Sequence, residues 1–393
     1  MNVLIVTDTY TPEINGVART LETLARGMAK RGHKVGVITT TPELNCWKDD
    51  DPLVKVRRVW SIPVPGYASL RMGLIGRKRL GDVMDEWKAE AVYVAVETPM
   101  GLAAIHAARK RGLPVVSGFH TNFHHYMENY KLPFLRKVAA AYLRWIHNLT
   151  QRTLTPSKDT VAELKAVGIN GVGLMGRGVD TALFNPARRD EHLRAAWGAV
   201  DDAPVMLFVS RLAAEKNLSL TANVMRRLLE RNPRAKGVFV GDGPRAQWLR
   251  SLNMPFVIAG ARRGEDLARH YASADVFLFP SVTETYGNVL PEAMASGLST
   301  VSYRYAAAAE LVQHGENGYT APLGDEAAFE RAANTAFTRW NDAGLRKAAR
   351  NSVAHLSWDM IVAQFERELK EAGRILKPQS APESESAPLI TTA

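Results

Sequence analysis

Cysteine is all but missing from the 393 residues: Cys46 is the only one. An internal disulfide is therefore excluded, as is a metal site built from several thiolates, and the usage fits a reducing compartment. No run of about 18 apolar residues occurs, which argues against a membrane-spanning helix. The opening MNVLIVTDTYTPE lacks the basic start and small-residue cleavage site of a signal peptide. A cytoplasmic location is expected. Acidic charge is scarce, with 40 Asp+Glu against 50 Lys+Arg and a net charge of +10. The shortage is local. Residues 1–185 hold 25 basic and 16 acidic side chains, whereas residues 186–393 hold 25 and 24. Within 101–150, seven basic residues face one acid, Glu128. A basic half suits a polyanionic partner, nucleic acid or an anionic membrane surface, or it only keeps the chain soluble. No nucleic-acid-binding module accompanies the charge, so nucleic acid is not expected as a partner. A Gly-x-Gly-x-x-Gly after the first strand, the mark of a nicotinamide-dependent dehydrogenase, is also missing.

What is present is ordinary globular composition, 46% hydrophobic and 23% charged, in a chain long enough for two domains. Short apolar, β-branched runs alternate with amphipathic stretches. The spacing predicts strands at 2–7, 34–39, 91–96, 114–118 and 152–155, then at 204–209, 236–240, 256–259, 275–279 and 299–303. Helices are predicted between them, at 17–31, 78–88, 100–111, 134–150 and 158–167, then 217–231, 244–252, 264–273, 288–296 and 326–337. Strands alternating with helices imply parallel sheets covered on both faces, an α/β fold in each half. The polar, broken stretch 182–202 marks the join, which gives domains at 1–185 and 186–356. A last amphipathic helix, 357–376, begins at Ser357 as N-cap. The tail, 377–393, is rich in Pro, Ser and Ala and is expected to be disordered.

Ligands of open parallel sheets bind beyond the carboxyl ends of the strands, so the informative residues should follow strands. After 275–279 comes PSVTETYGNVLPEAMASG, in which Glu284 and Glu292 are eight apart. They bracket the backbone amides of Tyr286, Gly287 and Asn288, at a helix start suited to an anion. Glu292 is placed to accept from a vicinal diol and Glu284 to reach sugar hydroxyls; taken alone, Glu292 equally suits the helix dipole. After 204–209, Arg211 and Lys216 lie in one loop and could converge on a diphosphate.

This string resembles the Glu-x7-Glu segment of the retaining glycosyltransferases of family 4, which adopt the GT-B fold of two facing Rossmann-like domains. The resemblance covers about residues 1–375. It implies that Glu284 contacts the transferred sugar, that Glu292 binds the donor ribose, and that the amides at 286–288 contact sugar and phosphates. Arg211 and Lys216 match the pair that stabilises the leaving nucleoside diphosphate. Gly178-Val179-Asp180 with Phe184-Asn185-Pro186 is similar to the interdomain crossing, and Gly241-Asp242-Gly243-Pro244 to a turn near the donor. Gly260 and Arg262 lie in the turn where the base is read by backbone groups. Glu310-Leu311-Val312 with Glu316-Asn317-Gly318 matches a late segment. Ala306 to Ala309 depart from the family, which often carries paired glycines there. In the first half, Gly16 opens a helix close to the donor phosphates or the acceptor. His120 resembles an interdomain histidine that touches the sugar. The final helix is expected to cross back to the first domain.

The resemblance implies a hexosyltransferase that moves a sugar from a UDP- or GDP-linked donor, a substrate rather than a cofactor, with retention at the anomeric carbon. No metal is expected. His124 and His125 lack acids at suitable spacing, and Asp49-Asp50-Asp51 reads as solvated charge. Two segments, 63–80 and 131–145, mix bulky apolar residues with Arg and Lys; they suit either a helix with a solvated face or contact with an anionic leaflet. A membrane lipid such as diacylglycerol is the expected acceptor, with peripheral binding at the cytoplasmic face. A soluble or polysaccharide acceptor is the alternative within the class, and a nucleotide-sugar 2-epimerase the alternative outside it.

Overall fold

The computed structural model describes residues 1–13, 15–42, 51–64, 67–120 and 133–376. The expectations on Asp49, Asp50, His124, His125 and 377–393 fall outside these residues. Each half carries one parallel sheet. In chain order the first half runs β1 (Asn2–Val6), α1 (Gly16–Lys30), β2 (Lys34–Thr40), β3 (Val54–Val59), β4 (Ser61–Val64), β5 (Tyr67–Gly73), α2 (Arg77–Trp87), β6 (Ala91–Val94), α3 (Pro99–Lys110), β7 (Val115–Gly118), α4 (Pro133–His147), β8 (Arg152–Thr155), α5 (Lys158–Ala166) and β9 (Val172–Leu174). The second runs α6 (Glu191–Ala196), β10 (Val205–Val209), α7 (Leu218–Arg231), β11 (Lys236–Val240), α8 (Ala246–Ser251), β12 (Phe256–Gly260), α9 (Gly264–Ala272), β13 (Val276–Phe279), α10 (Val289–Ala295), β14 (Ser299–Tyr303), α11 (Ala307–Leu311), β15 (Tyr319–Ala321), α12 (Glu326–Thr338) and α13 (Ala343–Val353), and α14 (Trp358–Leu376) closes the chain.

The first sheet has the order β3-β2-β1-β6-β7-β8-β9 and the second β12-β11-β10-β13-β14-β15. Central strands such as NVLIV, AVYV and VMLFV are apolar almost throughout because both faces are covered. In each sheet the strand order reverses once, between β1 and β6 and between β10 and β13. Those two crevices are where the fold offers ligand sites.

The final helix belongs to the first core. Ile361, Val362, Phe365 and Leu369 of α14 pack with Leu21, Leu24 and Met28 of α1 against that sheet. Arg31 pairs with Glu366 at 2.8 Å and Arg152 with Glu368 at 2.8 Å. Val179 and Phe184 already pack in the second core, so the two lobes exchange segments on both sides of the join.

The main differences from expectation are edge elements. β3 reads VKVRRV, whose alternating charges suit a sheet margin and carry no apolar run. Segment 63–80 holds most of the antiparallel hairpin β4–β5 and the start of α2, not one helix. Within the join, Asp190 caps α6 by accepting from Leu193 N at 3.0 Å. Arg194 of that helix is buried against Asp275 at 3.1 Å, so the stretch is anchored rather than irregular.

Candidate active site

At the second lobe's crevice, the loops after β10 and β13 meet. Arg211 and Lys216 come from the first and Ser281 and Glu284 from the second. The Gly241-Asp242-Gly243 turn after β11 supports the Arg211 loop from below. A Cβ on Gly241 would lie 1.8 Å from Ser210 O at a backbone φ of 143°, so no other residue fits.

Lys216 Nζ pairs with Glu284 Oε1 and lies 3.4 Å from Ser281 Oγ, with both charged side chains largely buried. Ser281 donates to the same carboxylate oxygen at 2.7 Å, and Glu284 N donates to Tyr305 Oη at 2.8 Å. Arg211 is half exposed and pairs with Glu215 one turn on. Gly287 adopts φ +89°, which turns the chain beneath Glu284. The N–H groups of Tyr286, Gly287 and Asn288 have no backbone acceptor among the described residues. A small, mostly apolar cavity lies against Glu284, lined also by Phe279, Ser281, Tyr286, Gly287 and Tyr305. Beside it, the cations of the β10 loop and the amides of 286–288 are groups that could hold a diphosphate, and Glu284 one that could accept from hydroxyls.

Glu292 lies deeper. Tyr271 Oη donates to its Oε2 at 3.2 Å, and Arg19, from α1 of the other lobe, donates to its Oε1 at 2.6 Å. Burial pushes the Glu292 carboxyl up, against the pull of Arg19 and Tyr271. The lobes also meet elsewhere. A Cβ on Gly16 would sit 3.8 Å from Asn288 Nδ2, which places the start of α1 over the start of α10. Asn15 caps α1 by accepting from Ala18 N at 2.8 Å. Thr285 Oγ1 donates to the carbonyl of His120 at 2.9 Å, and Glu310 accepts from the Lys158 amide at the start of α5 at 2.9 Å. Gly260 gives its carbonyl to Gly241 N at 2.9 Å, and Arg262 pairs with Asp266 at 3.2 Å on the exposed rim.

His120 is at the junction, but its ring is fully engaged. Arg177 Nη2 donates to Nδ1 at 3.0 Å, which places the ring proton on Nε2, donated to Tyr93 Oη at 3.0 Å. Burial and then the Arg177 charge hold its pKa well below the ordinary value. The imidazole is neutral, and it meets the second lobe through its carbonyl. At the first lobe's crevice, Asp8 accepts from Gly73 N at 2.9 Å through Oδ1, and its buried Oδ2 has no hydrogen-bond partner among the described residues. Burial raises its pKa to about 6.

Sequence reasoning missed Arg19, Tyr271, Tyr305 and Arg177. Arg19 and Glu292 are 273 positions apart, and no local pattern joins them. Asp8 carries the one available signal, a carboxylate just past the first strand.

Two parallel α/β lobes facing across a cleft, each with its crevice turned toward the other, are the architecture of GT-B glycosyltransferases. Among solved structures, Anabaena HepE in complex with UDP and glucose superposes with a TM-score of 0.73 at 18% identity, over 94% of this chain and 99% of that one. Residues 14–183 match Glycosyltransferase Family 4, and residues 203–339 match Glycosyl transferases group 1. A GDP-mannose-dependent alpha-mannosyltransferase of Mycolicibacterium smegmatis is 33% identical over 92% of this chain and 95% of its own. The alpha-monoglucosyldiacylglycerol synthase of Streptococcus pneumoniae is 26% identical over 77% of this chain and 71% of its own. The chain belongs to glycosyltransferase family 4. It is a glycosyltransferase, and its family implies a nucleotide-sugar donor.

Proposed function

We propose that the enzyme transfers a hexose, mannose from GDP-mannose in the first instance, to a hydroxyl of a membrane lipid such as diacylglycerol, with retention of the α configuration. The carrying observation is Lys216, held beside Ser281 and Glu284 of the loop that also carries the amides of 286–288. On donor binding the pyrophosphate takes Glu284's place as the partner of Lys216. The released carboxylate then accepts from sugar hydroxyls, and Glu292 accepts from the ribose diol. As the anomeric C–O bond breaks, charge grows on the β-phosphate, where Lys216, Arg211 and the amides stabilise it. The acceptor hydroxyl attacks on the face the phosphate leaves, and the departing phosphate oxygen takes its proton. These two cations supply the charge that a metal would otherwise bring. Asp8, at the first lobe's crevice with Thr98 beside its carboxyl, would accept from an acceptor hydroxyl.

The mycobacterial relative favours GDP-mannose, and the pneumococcal one favours diacylglycerol. A surface for the leaflet fits the first lobe. Trp60 and Leu74, joined by the Leu74 N to Trp60 O bond of 2.8 Å, are exposed beside Arg77, Lys78 and Arg79. Trp145 of α4 is exposed next to Arg144. Among the described residues no helix is long and apolar enough to cross a bilayer, so contact would be peripheral.

The test is incubation with GDP-mannose, UDP-glucose and other UDP- and GDP-sugars over vesicles containing diacylglycerol and acidic lipid, with products identified by mass spectrometry. An α-mannosyl lipid is expected. An epimerised sugar nucleotide formed without acceptor defeats the transferase reading, and transfer only to soluble sugars defeats the lipid assignment.

A further inference from the structure

Glu292 is buried to 4% exposure, yet its cation comes from the opposite lobe. Arg19 lies on the exposed side of α1 and crosses the cleft to reach it. Its guanidinium lies 5.6 Å from the centre of the Phe184 ring, in the crossing segment of the second core. The arginine is thus held at two points of the second lobe while its backbone belongs to the first. Around Glu292 the facing charged and titratable groups are Arg19 from α1 and Tyr271 from α9. On the α13 side, Arg350 goes to the far end of α10, where it donates to Ala295 O.

We infer that Arg19 is a positioning residue that keeps Glu292 ionised from across the cleft, so that recognition of the donor's ribose depends on the two lobes being together. This rests on the donor-site reading of Glu292. A carboxylate offers about four lone-pair sites, and Arg19 and Tyr271 use two, which leaves two for a vicinal diol. Only the ionised form accepts from both hydroxyls. A buried carboxylate that loses its cation becomes protonated instead. When the lobes part, Arg19 leaves with α1 and the diol acceptor is lost. When they close, the guanidinium restores it.

Burial already raises the Glu292 pKa and Arg19 opposes the rise, so removal of Arg19 moves it further up. Without Arg19, nucleotide binding should fail as pH falls through a range in which the unaltered enzyme still binds.

The experiment is calorimetric titration of the full chain with GDP and with UDP, the tighter serving as probe, between pH 5.5 and 8.5. The ratio of each variant's affinity to that of the unaltered protein at the same pH removes the titration of the nucleotide itself. Arg19→Met and Arg19→Gln should bind about tenfold more weakly at the acid end, corresponding to about one pKa unit, and recover toward pH 8.5. Arg19→Lys should restore the flat ratio. Glu292→Gln should bind weakly at every pH. If Arg19→Met and Arg19→Gln give a pH-independent ratio while Glu292→Gln is weak, Arg19 is not the counter-ion and this inference fails alone. If Glu292→Gln binds as the unaltered protein does, the donor-site reading of that residue fails with it.

Discussion

Of the two cations, Lys216 is the better placed for the proposed leaving-group role. Both lie in the loop after β10, but Arg211 is half exposed and shares its charge with Glu215, whereas Lys216 is largely buried against Glu284. A charge held away from water acts more strongly on a developing phosphate charge. Lys216→Ala should lower kcat on the order of 10²–10³-fold, and Arg211→Ala should cost less. Steady-state rates with donor saturating decide it. Equal losses for the two, or an unaffected Lys216→Ala enzyme, would refute the assignment of the leaving-group role. At this scale what the sequence made legible is placement past a strand end. Glu284, Lys216 and the 286–288 amides meet at the β10/β13 crevice because adjacent strands deliver their loops to one place. Contact was not legible for His120, a strand-end histidine whose two ring nitrogens turn out to be taken by Arg177 and Tyr93. Arg177 lies 57 positions away in the chain, and the pairing exists only once β7 and the crossing segment are neighbours.

Among the elements, α11 shows how a departure in sequence becomes a strain in structure. Its N-cap, Ala306, has φ +49° and ψ −130°, a region that suits glycine and costs a residue with a Cβ roughly 1–3 kcal/mol. The turn is fixed because Ala307 N donates to Tyr286 O at 3.0 Å, which ties α11 to the loop after β13. The alanine run where family 4 often has paired glycines therefore keeps the backbone path and bears its cost. Ala306→Gly should stabilise the second lobe by about 1 kcal/mol, the relief being partly offset by the entropy of glycine. Thermal unfolding would show a rise of a few degrees, and an unchanged or lower midpoint would count against strain at this residue. The elements that composition did reveal are the central strands, apolar on both faces. Strands β3, β4, β5, β9 and β15 and helices α6, α11 and α13 went unread because they carry mixed or short patterns, and their pairing is set by tertiary context.

Across the whole molecule, the lobes are joined at several points, and α14 is the one that returns the chain to its beginning. Glu366 on that helix gathers Arg31 at 2.8 Å, His33 Nε2 at 3.3 Å and the neighbouring Lys370, while the terminal amine lies 3.0 Å from His33 Nδ1. Hydrogen bonds from Lys370 and Arg31 hold the Glu366 carboxyl down to about 2, against an ordinary value of 4.5. Burial and the nearby terminal amine lower His33, so its neutral form prevails near pH 7. A depressed carboxylate stabilises the folded chain in full above its unfolded pKa and gives that stability up as pH falls through the folded one. The docking of α14 should therefore hold above about pH 4.5 and weaken between about pH 4.5 and pH 2. Glu366→Gln removes the titrating group, so its stability should lie below that of the unaltered protein at pH 7 and approach it near pH 3. Urea unfolding across that range checks both limbs. A variant that stays less stable by the same margin at pH 3 as at pH 7 would show that the carboxylate's charge does not hold the helix, and that the apolar face of Ile361, Val362, Phe365 and Leu369 does so unaided.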